Sequence, residues 1–316
     1  MKNNIIQSTF IGLAVADALG VPVEFKSRKV LKESPVTDMM SYGSHHQPKG
    51  TWSDDSSLTF CLAESLCKKY DINDIAKKSA LWYHEKIWTP HGFVFDIGHT
   101  TRKAIQAYLR GTPPSLCGGN TEYDNGNGSL MRISPLAFYI KGFPLEKRFD
   151  IIKEVSQTTH AHIRSIISCF IYLEFFIELL NKNELTTAYK NTKEKINTFL
   201  KNNPICSQKE IDVFKRVLNN NIKELTEEEI NSGGYVIDTL EASIWCLLNS
   251  TNYSDAVLKA VNLGDDTDTT ATVVGAIAGM YYGLNNIPED WINCLSRKED
   301  IYKLSEQFAK KYGYES

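Results

Sequence analysis

The stretch Ile163–Leu180 reads IRSIISCFIYLEFFIELL. It is apolar on most sides of any helix drawn through it, so it must lie at the centre of a bundle with other helices packed around it. The rest of the chain is patterned to match. Over residues 53–69, Leu58, Cys61, Leu62, Ser65 and Leu66 recur at helical spacing and form one face of an amphipathic helix. Segments 238–248, 254–261 and 269–282 also read as helices, and strict alternation over five or more residues is hard to find, which predicts a mainly α protein. The Lys/Asn/Glu-rich stretch 181–231 is the most polar part, yet Ile196, Phe199, Leu200, Val213, Phe214, Val217 and Leu218 keep helical spacing, so peripheral helices are expected there. No linker or repeat divides the chain, which predicts a single domain over 1–316. Gly12, Ala16 and Gly20 lie four residues apart, as do Gly275 and Gly279. Small residues on one helix face permit close approach, so the two ends of the chain are expected to meet in the bundle centre.

Charge narrows the function. The chain carries 35 Lys and Arg against 38 Asp and Glu, a net charge of -3, which argues against a nucleic-acid binder working through a basic field. Hydrophobic residues at 42% and charged residues at 23% exclude a largely disordered chain. The seven cysteines are scattered without a CxxC pair and fit free thiols in a reducing compartment better than a disulfide frame or zinc site. Lys2, the apolar run from Phe10 and Ala16-Asp17-Ala18 imitate a signal peptide, but Asp17 within the run and one basic residue before it make that the poorer reading. No later apolar stretch approaches the roughly 18 to 20 residues that span a bilayer. A soluble cytoplasmic protein without membrane attachment is expected.

Two acidic helix starts carry the candidate chemistry. Trp52-Ser53-Asp54-Asp55-Ser56 opens the amphipathic helix; a Ser cap and first-turn acids are normal helix-start chemistry on their own. Gly264-Asp265-Asp266-Thr267-Asp268-Thr269-Thr270 opens a second helix rich in Ala, Gly and Val. The apolar helix behind it points to burial, and buried like charges are costly unless a cation or protons neutralise them. Together the two starts offer carboxylates and hydroxyls without Cys or His, an oxygen set suited to Mg²⁺ or Mn²⁺, with enough carboxylates for two ions. The Asp266-x-Asp268 spacing is not an EF-hand, because Thr270 and Ala271 stand where that loop needs a ligand and a glycine.

Other signals are weaker. Asn125-Gly126-Asn127-Gly128-Ser129 leaves backbone N–H groups free to cradle phosphate, with Arg132 as a counter-charge, though such loops are more often plain turns. Of His160 and His162, either could cap the apolar helix, and together they could bind a metal. His84-Glu85 lacks the second histidine of a zincin motif, since Trp88 occupies its place.

Six segments resemble the ADP-ribosylglycohydrolases related to dinitrogenase-reductase-activating glycohydrolase. They are GLAVADALGVPVEF (12–25), GTWSDDSSLTFCLAESL (50–66), DIGHTTRKA (96–104), GNGSLMRISPLA (126–137), TTHAHIRS (158–165) and NLGDDTDTTATVVGAIAGMYYG (262–283). The resemblance covers most of the chain apart from 181–231. It implies an all-α fold, a single compact multi-helix orthogonal bundle with a dinuclear metal site between helix N-termini. The implied ligands of two Mg²⁺ or Mn²⁺ ions are Ser53, Asp54, Asp55, Asp266, Asp268 and Thr269. Ser53 stands where relatives usually have Thr and keeps the hydroxyl, whereas Asp265 replaces a frequent Gly and is not counted. Glu24 matches an acid that approaches the metals, and Asp96 one that arginine-directed members place near the guanidinium. Gly128 and Ser129 fall at the diphosphate and His160 at a ribose, with Asn127 and Gly98 in the same substrate-binding set.

The implied reaction cleaves the N-glycosidic bond at C1″ of the distal ribose, with Asp55 or Glu24 as base and Asp96 organising the leaving guanidine. The expected partner is an ADP-ribosylated protein or a small molecule containing ADP-ribose, met by a monomer, with no nucleic acid as structural partner. Serine-linked, O-acetyl and nucleic-acid-linked ADP-ribose are alternative substrates. Asp266-x-Asp268-x-Thr270 also imitates a haloacid-dehalogenase-like phosphatase, but that motif wants the end of a β-strand early in an α/β domain. A non-catalytic ADP-ribose-binding relative is the third reading. Setting aside Glu24, Asp54, Asp55, Asp266 and Asp268 leaves 33 acids against 35 bases, so the near-neutral total averages an acidic site with a slightly basic remainder.

Overall fold

The first and the fourteenth helices in chain order form the spine of the protein. In a computed structural model that describes residues 5–314, Ile5–Gly20 lies along Thr267–Tyr282, with most of both helices buried. A Cβ added to Gly12 would meet the Gly275 carbonyl at 2.6 Å, and one added to Gly279 would meet the Ser8 carbonyl at 2.2 Å. The two backbones therefore touch at distances only glycine permits. At the end of the first helix, a Cβ on Gly20 would lie 2.3 Å from the Asp268 Cα, and the Thr267 hydroxyl donates to the Gly20 carbonyl at 2.8 Å. This contact delivers the next turn, with Glu24, to the acidic start of the Thr267 helix. The window Ile5–Val23 is long and apolar enough to cross a membrane, but 89% of it is buried inside the fold as core.

Gly275→Val is expected to lower stability by about 3 kcal/mol or more, because the backbone contact cannot yield. Gly142→Ala, at a glycine with nothing within 4 Å, should stay within about 0.5 kcal/mol of the parent. Urea midpoints decide; equal losses in the two variants would refute the close-contact account.

The predicted central helix spans Ile163–Leu180, and everything from Arg164 to Leu179 is buried. Its buried Glu174 is paired by Arg148 at 2.9 Å and Lys195 at 2.9 Å, which offsets the cost of taking the carboxylate out of water. Val236–Leu248, Tyr253–Asn262 and Lys298–Tyr312 complete the layers around the spine. Among the described residues there is no β-strand; Tyr42–Gln47, Gly119–His160 and Gly126–Tyr235 form isolated bridges. All seven cysteines are free.

Two expectations change. The helix Asp54–Leu66 buries every residue except Glu64, so it is a sandwiched helix rather than an amphipathic surface one. Its polar side is buried because Ser57 and Thr59 donate to the helix's own carbonyls, Ser53 at 2.8 Å and Asp55 at 2.7 Å, and need no outside partner. The polar stretch is peripheral as expected, but only Leu185–Asn202 is a long helix. Gln208–Asp212 and Lys215–Leu218 are short, and two 3-10 turns follow.

Candidate active site

Both acidic helix starts open into one cavity of about 310 Å³. At the first, Ser53 is the N-cap and its hydroxyl accepts from the Asp55 N–H at 3.2 Å. Three further donors of that start go to Asp17, from the spine helix. Its carboxylate accepts from Ser53 N at 2.9 Å, Ser56 N at 3.1 Å and the Ser56 hydroxyl at 2.5 Å. With the turn satisfied from behind, the Asp54 and Asp55 side chains are released toward the cavity they line.

At the second start Asp266 is the N-cap but makes no capping bond with its side chain. Asn127 Nδ2 donates to Asp266 Oδ2 at 2.8 Å and to Thr239 at 2.9 Å, while Thr269 N donates to Asp268 Oδ1 at 2.9 Å. The Thr269 hydroxyl reaches Asp55 Oδ1 at 3.3 Å and so joins the two starts. Asp265 turns away, accepting from the Ser232 hydroxyl at 3.3 Å. Because Asp266 and Asp268 open a helix with no strand before them, the phosphatase reading falls.

Three clusters hold candidate ligand atoms within 4.8 Å of one another: Asp17, Asp55 and Asp268; Glu24, Asp266 and Asp268; Glu24, His45 and Asp96. Asp54 lines the cavity outside all three. Burial pushes the Asp54, Asp55 and Asp268 carboxyls well above their usual range, and neighbouring carboxylates push them further. Burial likewise raises Asp266. Glu24 is lifted to about 8 by burial and then by the Asp266 charge; Asp96 is lifted to about 8 by burial and then by Glu24. Asp17 reaches about 6, since its bonds from Ser56 and Ser53 partly offset burial. Three buried carboxylate oxygens, Asp55 Oδ2, Asp266 Oδ1 and Asp268 Oδ2, have no hydrogen-bond partner. Crowded, unpartnered oxygens of like charge are the donor set that hard divalent cations require, so the residues fit such a group.

The opposite wall is the turn Asn127–Ser129, strapped down by Asn127 N to Gly234 O at 3.1 Å and Val236 N to Asn125 O at 2.9 Å. Gly126, Asn127 and Gly128 line the cavity with Gly98, Thr101 and His160. Gly128 must be glycine, since its Cβ would come within 2.7 Å of His160 Cε1. Ser129 is not brought to the cavity; it is fully buried with its hydroxyl 3.5 Å from Cys169 Sγ. Asn127 lines the wall, but both donations of its amide hold the turn to Asp266 and Thr239. Arg132 is no phosphate counter-charge. The turn directs its buried guanidinium inward, to the Thr158 hydroxyl at 3.1 Å and that of Thr159 at 2.6 Å.

Arg132 thereby acts on His160. Burial, with the Arg132 charge behind it, pushes His160 down to about 3, so the ring is neutral. Thr159 accepts from Arg132, which leaves its hydrogen for His160 Nδ1 at 2.9 Å and assigns the ring proton to Nε2. His162, not His160, caps the central helix, accepting from Arg164 N at 3.3 Å.

Sequence reasoning missed Asp17 as an anchor and His45 altogether. Asp17 left a signal, a charge inside an apolar helix. His45 left none; it sits in the short turn Gly43–His45, where its Nε2 bonds Glu24 Oε2 and lies 3.9 Å from Asp96.

A family model described as ADP-ribosylglycohydrolase matches residues 3–316. An ADP-ribosylarginine hydrolase of Serratia proteamaculans (strain 568) is 36% identical over 308 residues, 95% of this chain and 78% of that protein. One of Pseudomonas putida (strain GB-1) is 29% identical over 311 residues, 95% of this chain and 76% of that protein. A solved structure described as an ADP-ribosylglycohydrolase-related protein complex superposes with a TM-score of 0.81 at 28% identity, over 99% of this chain and 100% of that one.

Proposed function

Since the chain belongs to the ADP-ribosylglycohydrolase family and is a glycosyl-bond hydrolase, we propose that it removes ADP-ribose from modified arginine side chains with the help of two Mg²⁺ or Mn²⁺ ions. The observation that carries this reading is the polarity of the cavity. Glu24, Asp96 and the two acidic helix starts line it together with the Gly126–Gly128 turn and neutral His160, and Asn127 of that turn donates to Asp266 at 2.8 Å. A cationic guanidinium suits the acids, and an anionic diphosphate suits the turn. The Serratia and Pseudomonas relatives are named as ADP-ribosylarginine hydrolases, which supports the same linkage.

Asp54, Asp55, Asp266 and Asp268, with the Ser53 and Thr269 hydroxyls, are the residues that would hold the cations. When bound, such ions supply positive charge that offsets the carboxylates and acidifies water. The chain's own groups do the rest. Free N–H groups of the turn and of the helix start at Gly98 receive the diphosphate, and His160 Nε2–H donates to a ribose oxygen. Water attacks C1″, its proton passes to Asp55 or Glu24, and the electrons of the broken C1″–N bond return to the guanidine nitrogen, which takes up a proton. Carboxyls lifted to about 8, as Glu24 and Asp96 are, can hold or release a proton near neutral pH. Asp96 orients the leaving guanidine.

The test offers arginine-linked, serine-linked and O-acetyl ADP-ribose to the protein with Mg²⁺ or Mn²⁺ and with a chelator. ADP-ribose should appear from the arginine linkage at least about tenfold faster than from the others, a difference of about 1.4 kcal/mol in barrier, and only with cation. Equal rates on all three, or release that survives chelation, would overturn the reading.

A further inference from the structure

Phe25 is a large apolar residue in a conformation its side chain disfavours. Its φ is +66°, and for a bulky residue that is a genuine outlier. The surroundings enforce it. Phe25 N donates to Asp265 O at 2.7 Å and Asp265 N to Lys26 O at 2.8 Å, and Asp265, the partner, also has positive φ, at +60°. Gly264 beside it packs closely on the same loop, with φ +81° and a Cβ there lying 2.4 Å from Arg28 N. Strain of this kind concentrates where a site needs a group held in place.

The group held in place is a ring that the fold leaves uncovered. Phe25 is 71% exposed and lines the cavity next to Glu24. Its ring partner is His45, at 5.8 Å between centroids, and His45 rests in turn on Phe95 at 5.3 Å. The same imidazole bonds Glu24 and lies 3.9 Å from Asp96, so the stack fixes the aromatic face beside two carboxylates. An aromatic face next to carboxylates is a receptor for a flat cation. An adenine would stack on such a ring too, but the groups fixed beside this ring are the acids Glu24 and Asp96.

From this geometry we propose that Phe25 is a specificity-determining residue, the platform on which the guanidinium of the substrate stacks while Glu24 and Asp96 face its N–H groups. This rests on the arginine reading above. A guanidinium within about 6 Å of the ring centroid gains an attraction that corresponds to about 2- to 30-fold in affinity.

The experiment compares Phe25→Leu, Phe25→Trp and Phe25→Gly with the parent. Readouts are kcat/KM on ADP-ribosyl-arginine, inhibition by agmatine as a free guanidinium, and Tm. Phe25→Leu should lose about tenfold in both kcat/KM and agmatine affinity, and Phe25→Trp should restore both. Phe25→Gly should lose the same activity yet gain Tm, because glycine accepts the positive φ and an exposed ring contributes little packing. If the parent does not release ADP-ribose from arginine, the arginine reading itself fails. If it does, and Phe25→Leu keeps both its turnover and its agmatine affinity, the platform is refuted while that reading stands. A fall of Tm in Phe25→Gly would make Phe25 a structural residue and overturn the proposal as well.

Discussion

Asp268→Asn should abolish turnover and yet stabilise the protein in the absence of divalent cations. Asp268 is fully buried, its Oδ2 has no partner, and after burial the charges of Glu24, Asp96 and Asp55 push its carboxyl up. An asparagine keeps the shape and can still accept from Thr269 N, while its new N–H₂ can donate to the carboxylates around it. In a chelator at pH 8 the variant should therefore gain stability, because a neutral amide removes an acid that burial and its neighbours keep from ionising freely. Turnover with Mg²⁺ or Mn²⁺ should fall on the order of 10³-fold, because several kcal/mol of transition-state charge stabilisation depend on that ligand set. Asp17→Asn makes the contrast. Asp17 accepts three hydrogen bonds from Ser53 and Ser56, so replacing one oxygen with a donor should destabilise the protein with or without cation. Urea unfolding in EDTA, set beside turnover in saturating Mg²⁺, separates the two residues. A destabilised Asp268→Asn, or one that turns over normally, would contradict the assignment of Asp268 as a cation ligand.

That contrast also marks what could be read from sequence. The two acidic helix starts were legible because local spacing carried their meaning: acids crowded before an apolar helix need a counter-charge wherever the helix goes. The meeting of the chain ends was legible from Gly12, Gly275 and Gly279 because close approach leaves glycines at regular intervals. Asp17 was visible as an oddity but not as an anchor, because its partners are Ser53 and Ser56, and nothing in one helix states what another will need capped. Arg132 misled, since a basic residue after a Gly/Asn turn suits a phosphate equally well on paper. Its direction depends on where Thr158 and Thr159 lie in space. Ser129 was drawn to the diphosphate by its place in the same run, but one residue beyond Gly128 the turn faces Cys169 instead. His45 and Phe25 lie in irregular backbone, which has no periodicity to read.

Stability should depend on pH and on cations together. Glu24 and Asp96 rise from their ordinary 4.5 and 3.8 to about 8, and Asp17 from 3.8 to about 6, with burial as the largest cause in each case. Without cations, the folded protein thus binds more protons than the unfolded chain between pH 4 and 8. The stability these groups contribute is full below pH 4 and is lost as pH rises through 6 and then 8, the reverse of a salt-bridged carboxylate. Divalent cations act against this loss by taking the place of the protons, so their effect must grow with pH. At a concentration 100 times its dissociation constant, one bound ion adds about 2.7 kcal/mol, or roughly 4 °C in Tm for a chain of this size. Each proton displaced weakens cation binding by about tenfold per pH unit below the carboxyl's pKa, so for every proton displaced from a carboxyl at about 8, the Mg²⁺ or Mn²⁺ needed for half the Tm gain should rise on the order of 10²-fold between pH 8 and pH 6. Thermal melts across a cation titration at the two pH values measure this directly. A midpoint that does not move with pH would mean that the carboxyls are already ionised without cations, and the account of the site as a crowd of acids awaiting a counter-charge would fail.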